Sequence, residues 1–439
     1  MRKLTLNSLI AVAMLAQLGR TWAQSPAPAP GEPLTLDVAI QTALANHKQI
    51  TSAESQLEGA QAQLTQSKSA WYPQISPTYS YRNSTSQHNQ SSFDLTTQGT
   101  SVSLQQTIFD SGRREIGIAQ SRNSVRSATL GVQNTREAVI LNVTTSYYQL
   151  LRTKDLVRVA ESGLERARTT LEATKAFVEA GSSAKKDTLQ AQADYSNADV
   201  QVIQARNNVR LAQTSLRQAM GLTSNQDIVT PDQPVPAPSE TPDTKVASDY
   251  IDQALAHRPD LKQTEIGVDS SRRSVRLAKI NAGPTLESTL SSTYSAHPSP
   301  GLDKIVAVSV TYPLFDAGSS RARVREASAG LRGAQAQLEL SRQAIAADVE
   351  SAYLSREEAR SRITAAQSAL TASRSNYDAA SQSRTEGVGT ILDVITAENS
   401  LITAETNTVQ AIYDYYSADA LLQRSVGAND TYVSAGGKS

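Results

Sequence analysis

Hydrophobic positions recur along this chain with two periods, and the periods alternate. Over residues 110–180, a stretch without proline, Ile118, Val125, Val132 and Val139 stand seven apart. The seam then steps by four to Val143 and resumes its spacing through Leu150, Val157, Leu164, Leu171 and Val178. Residues 316–386 repeat the pattern with Val324, Leu331, Leu338 and Ile345, then Val349, Ile363, Leu370 and Tyr377, with Arg356 as the exception. A seven-residue repeat held this long predicts coiled-coil-like packing, and the step predicts a helix that changes partner midway. At about 1.5 Å per residue, each run is a helix of roughly 105 Å.

A period of two precedes each long helix. In 304–315 Val306, Val308, Val310, Tyr312 and Leu314 fall on one face, and Ala307, Ser309 and Thr311 on the other. The first-copy equivalent puts Val102, Leu104 and Ile108 opposite Ser101, Ser103, Gln105 and Thr107. Weaker alternating partners, 74–82 and 285–294, come before them across the polar stretches 82–98 and 295–304, which read as loops. Each copy thus holds one hairpin. Strands of about 9 to 11 residues with Tyr and Phe near their ends suit a tilted membrane strand with an aromatic girdle. A half-buried sheet of a soluble protein would show the same alternation.

The two regions are copies. At a constant offset of 206, Phe109 meets Phe315, Gly112 meets Gly318, Tyr147 meets Tyr353, Gly181 meets Gly387, Asp187 meets Asp393 and Gly221 meets Gly427. Each copy opens with about 35 helix-compatible residues, 36–70 and 247–281, interrupted only by Pro259, which suits a first helical turn. Each closes with a return helix, 187–221 and 393–427. Two short helices stacked end to end would match one long helix, with their junction where the seam steps. The expected layout is a first repeat over 35–229 with strands at about 74–109, and a second over 247–427 with strands at about 285–315. Pro-rich linkers lie at 24–34 and 230–246, and a tail at 428–439.

Composition narrows the classes. Residues 1–23 carry Arg2 and Lys3, an apolar run to Leu18 and the small-residue pattern ending at Ala23, which predicts a secretory signal. No later run of about 18 apolar residues predicts a membrane-spanning helix. The 42 basic and 42 acidic side chains cancel, which gives no reason to expect a nucleic-acid partner. There is no cysteine, so thiol chemistry and disulfides are excluded. His47, His88, His257 and His297 form no pair with metal-ligand spacing, and no cofactor site is expected. The glycosylation-like triplets at 83–85 and 142–144 read as chance in so polar a chain.

The phrase Phe-Asp-Ser/Ala-Gly recurs where a strand gives way to a long helix. Phe109 and Phe315 would lie at a membrane interface, Asp110 or Ser111 and Asp316 would cap the new helix, and Gly112 and Gly318 would supply backbone freedom at the bend. A catalytic reading of Asp110 and Asp316 lacks any base, nucleophile or metal-ligand partner, so no enzyme is expected.

The duplicated layout, with 72–81 after the first helix, 107–113 and 312–319 at the strand ends, 257–261 opening the second copy and 386–401 near the end, resembles the TolC family of outer-membrane efflux ducts. The resemblance implies a mixed α+β membrane protein. It would be a homotrimer in which four strands per chain build one twelve-stranded β-barrel in outer-membrane lipid, continuing into a periplasmic tunnel of helices. It implies partnership with a periplasmic adaptor protein and an inner-membrane transporter, in tripartite efflux or type I secretion of drugs, metals, small molecules or polypeptide. It also implies that the second tip lines the entrance. There Asp393 matches one acidic ring position, Thr396 occupies a second, Gly389 replaces a latching arginine, and Asp187 stands at the place of that arginine's acidic partner. Gly181, Gly387 and Gly389 mark the helical tips for adaptor contact. The strand count points to an oligomer by a separate route: four strands cannot close a barrel, and an open edge facing lipid leaves backbone groups unpaired. A secreted structural coiled coil or adhesin without transport activity, and a soluble helical enzyme, are the competing classes.

Overall fold

The computed structural model describes residues 34–88, 91–223, 230, 236–238 and 245–427. The expected signal, nearly all of the first linker, most of the second and the tail lie outside the described residues. Each copy runs as a helix pair, a hairpin, a long helix and a return helix. The first copy comprises α1 Leu36–Asn46, α2 Lys48–Ser69, β1 Gln74–His88, β2 Ser91–Phe109, α3 Arg113–Glu179 and α4 Lys185–Ala219. The second comprises α5 Ala247–His257, α6 Pro259–Ile280, β3 Thr285–His297, β4 Gly301–Thr311, α7 Ser319–Thr385 and α8 Ile391–Val426.

The opening runs, read from sequence as single helices, are each broken once. In the second copy Pro259 begins α6, and Arg258 before it is extended at ψ 126°. The proline ring excludes the α region from its predecessor. No proline stands in the first copy. There His47 takes ψ 120°, and its Nδ1 accepts from the Gln49 amide, so the imidazole caps α2. The return helices end at these same breaks: a Cβ on Gly221 would lie 2.9 Å from the His47 Cα, and one on Gly427 3.4 Å from the Arg258 nitrogen.

α3 and α7, 67 residues each, are continuous rods of about 100 Å. α3 packs against α1 and α2 in its first half and against α4 and α8 in its second. The change of partner coincides with the step in the seam. Val139, Val143, Tyr147 and Leu150 of α3 meet Ile40 and Ala43 of α1 and Leu216, Ala219 and Met220 at the end of α4 in one core, where Val143 is 0% exposed. The second copy repeats it with Ile345, Val349 and Ala352 against Ala254, Leu261, Leu422 and Val426. Toward the tip the seam differs from the large-residue spacing. Val157 and Leu164 are half-buried, and the buried face is Gly163, Ala167, Leu171 and Thr174. Small side chains let α8 come close: a Cβ on Gly163 would be 3.0 Å from Ile402 Cδ1. Arg356, the exception in the second seam, is buried. It pairs with Glu357 and Asp419 and lies against the rings of Tyr250 and Tyr353.

The four strands form one antiparallel sheet in the order β1-β2-β3-β4. Register aligns Ile75, Leu104, Leu290 and Val306 in one apolar row and Ser76, Ser103, Ser291 and Ile305 in the adjacent, mostly hydroxyl row of the other face. The pairing runs on through most of 82–98 and 295–304, so these are strand rather than loop for most of their length. Polar composition misleads here because a ladder is built from backbone groups, which hydroxyl side chains leave undisturbed. β1 and β4 are the outer strands. The helices are ordered in parallel with the sheet: α2, α3, α6, α7 near it, and α4, α3, α8, α7 toward the tips.

Candidate functional site

Three places along this elongated molecule matter: the sheet, the strand-to-helix joints and the helical tips. One face of the sheet exposes Ile75, Tyr79, Tyr81, Val102, Leu290, Tyr294, Val306, Val308 and Val310. The opposite face carries Thr78, Ser101, Ser103, Gln105, Glu287, Thr289 and Ser309, with Gln105 donating to the Glu287 carboxylate. At the helical end of the sheet Trp71, Tyr72, Phe109, Tyr312 and Phe315 are all exposed, a belt of aromatic side chains at one level of the chain. Amphipathic rings of this kind partition to a membrane-water interface. Among the described residues no helix is long and apolar enough to cross a membrane.

At the joints the two copies use one design. Asp110 Oδ1 accepts from the Gly112 amide at 3.2 Å and Oδ2 from the Arg114 amide at 2.9 Å. Asp316 does the same with the Gly318 amide at 3.1 Å and the Ser320 amide at 2.7 Å. The aspartate therefore satisfies amides that a new helix leaves without partners. The chain turns through two consecutive left-handed residues, Ser111 and Gly112 at φ 59° and 91°, and Ala317 and Gly318 at 51° and 86°. Sequence reading assigned the turn to the glycines alone; Ser111 and Ala317 share it, at a steric cost to a residue with a Cβ. The first joint is braced by two arginines. Arg114 pairs with Asp110 at 3.0 Å, donates to the Thr107 carbonyl and stacks 4.2 Å over Trp71, while Arg113 reaches the Asn281 and Gly283 carbonyls. Asp316 is held below the usual carboxylate range, first by the Ser320 side chain and then by the backbone amides.

At the tips Gly181 and Gly387 adopt φ 75° and 80° where α3 and α7 end. Gly389 closes on the end of α7: a Cβ there would stand 3.0 Å from the Arg384 nitrogen, so only glycine fits the turn without a shift. Asp393 and Thr390 form a capping box at the start of α8, with Asp393 Oδ2 accepting from the Thr390 amide at 2.9 Å and hydroxyl at 2.7 Å. The Thr390 hydroxyl, then its amide, holds the Asp393 carboxyl below its ordinary value. Asp393 and Thr396, one turn apart, are both exposed, and Asp187 sits half-buried in the first turn of α4. Sequence reading missed Arg384. Its guanidinium bonds the Ser183 hydroxyl of the other tip, donates to the Gly389 carbonyl and lies 5.1 Å over the Phe177 ring. An arginine beside a glycine-rich turn was the one available signal. Among the described residues no cluster of three or more metal-ligating side chains occurs.

Comparison with known proteins places these features. The sequence profile described as "Outer membrane efflux protein" matches residues 39–222 and 250–428, one match per copy. The chain is 24% identical to the outer membrane efflux protein BepC of Brucella suis over 399 residues, covering 90% of this chain and 85% of BepC. It is 23% identical to the outer membrane protein TolC of Escherichia coli over 410 residues, covering 88% and 81% respectively. The fold superposes on the outer-membrane channel OprN with a TM-score of 0.77 at 21% identity, covering 89% of each chain.

Proposed function

The chain belongs to the outer membrane efflux protein family, and from that premise we propose that it is the outer-membrane duct of a tripartite efflux or type I secretion machine. The observation that carries this reading is the sheet: one face apolar, one face hydroxyl-rich, and both edges open within the chain. In lipid an open edge would strand its amides and carbonyls, so closure requires further chains, and three chains give twelve strands. The helices support the same closure. With α7 on one flank and α2 and α4 on the other, each chain offers Leu340 and Leu354 on one side and Val200, Ile203 and Leu211 on the other, all exposed in the single chain. The β4 edge and α7 of one chain then meet β1, α2 and α4 of the next chain, and sheet and helices close around a common axis.

The duct is passive. Its barrel wall presents hydroxyls and amides, which solvate many cargo types without selecting one, so drugs, metals, small molecules and polypeptide all remain within its class. An inner-membrane transporter supplies the energy, and a periplasmic adaptor protein joins the tips around Gly181, Gly387 and Gly389, where Val388, Leu392 and Leu189 are exposed. Asp393 of three chains lines the entrance, with Thr396 one turn further along. A secreted coiled coil without transport activity would have no use for the apolar sheet face.

Extraction tests the reading. The protein should leave outer membranes only with detergent and run as a heat-resistant trimer. Recovery as a soluble monomer would refute it.

A further inference from the structure

Toward the tips, where α3 and α4 of the first copy meet α8 of the second, a carboxylate lies buried between helices. Glu398 on α8 is 1% exposed, and neither of its carboxylate oxygens has a hydrogen-bond partner among the described residues. Its nearest cation is Arg166 of α3, whose Nε stands 3.9 Å away while its other two nitrogens hold Glu405 at 2.9 and 3.4 Å. The guanidinium is thus committed to a different carboxylate. Asp194 of α4 adds a like charge nearby, and Tyr377 of α7 also feels Glu398. A cavity of about 430 Å³ adjoins the joint, lined by Gly163 of α3, Asp194, Asn197 and Asn208 of α4, and Glu398 and Thr403 of α8.

We propose that Glu398 is a proton-binding site governing this joint, which stays packed while the carboxyl is protonated and opens to water from the adjoining cavity once it ionises. A neutral acid is tolerable in a buried interface; an ionised one without hydrogen bonds is costly there. Burial, then Asp194, pushes the Glu398 carboxyl up to about 7, with Arg166 opposing. An opened joint returns it to the ordinary value near 4.5. A raised acid favours the packed arrangement at low pH. That preference is complete below pH 4.5 and fades as pH rises through 7, so the equilibrium constant for opening grows with pH and levels off above about 8.

Hydrogen exchange on the full-length trimer in detergent tests this, with Glu398→Gln as a neutral isostere at each pH. The ratio of wild-type to variant exchange cancels the intrinsic pH dependence of amide chemistry. For amides of 391–406 and 191–208 that exchange through opening, the ratio should grow about twentyfold between pH 5.5 and 7.5, the change expected from the two carboxyl values. A ratio independent of pH would overturn the proposal, and equal growth in α2 and α6 would overturn its assignment to the joint. If Glu398→Gln does not assemble, Arg166→Gln compared with wild type serves instead. Removing the opposing cation should carry the rise to higher pH before it levels off, and a plateau at the wild-type pH would overturn the proposal.

Discussion

Asp110 and Asp316 make the same two backbone bonds at equivalent joints, yet their surroundings differ. Asp110 is 6% exposed and shares Arg114 with the end of β2, whereas Asp316 faces Ser320 at the same place. Asp110→Ala removes a cap and leaves Arg114 buried beside an empty position, which should cost about 3 kcal/mol in thermal or denaturant unfolding of the trimer. Asp316→Ala should cost clearly less. At the tip, Asp393→Asn keeps the side chain's size and removes its charge, so block of the conducting channel by a trivalent cation from the periplasmic side should weaken. Because Thr390 holds the Asp393 carboxyl low, the wild-type block should persist as pH falls until it is below the usual carboxylate range, then fade as the carboxyl protonates. Equal block of both proteins in planar bilayers would leave Asp393 a helix cap only. Residue types made the joints visible in the sequence, since an aspartate before a glycine at a strand end signals a capped turn. Arg384 was not visible, because its partners Ser183 and Phe177 are some 200 positions away and nothing local marks them.

The long helices explain which part of the element pattern was legible. A step of four in a seven-residue repeat rotates the apolar stripe, so the change of partner at Val143 could be read directly. The small-residue face at Gly163 and Ala167 could not, because periodicity follows large apolar side chains while close helix approach needs small ones. The break at His47 was hidden for a related reason: with no proline, it depends on a return helix ending against it, a contact 174 positions distant in Gly221. Leu150 lies fully buried in the core where the partners change. Leu150→Ala should therefore destabilise the assembled protein by about 3 kcal/mol. Arg168, exposed on the same helix and paired with Glu165 and Glu172, should accept Gln with a change under about 0.5 kcal/mol. Equal unfolding midpoints for the two variants would show that the packed face is elsewhere.

Across the whole molecule the duplication sets the design. Each copy contributes a hairpin, a long helix and two stacked short helices, and the copies join through β2 with β3 at one end and α3 with α8 toward the other. The sheet and helices keep open flanks, which further chains can close. The hairpin tip between β3 and β4 lies at the sheet end and the turn between α3 and α4 at the other, separated by the sheet and a helix of about 100 Å. If the sheet crosses the outer membrane and the helices cross the periplasm, Ser299 faces the exterior and Ser182 lies deep inside the cell envelope. The chain has no cysteine, so one can be introduced at either place without background. A membrane-impermeant thiol reagent on intact cells should label Ser299→Cys and spare Ser182→Cys until the outer membrane is permeabilised; the reverse pattern, or protection of both sites until lysis, would contradict a duct that opens to the outside through its barrel.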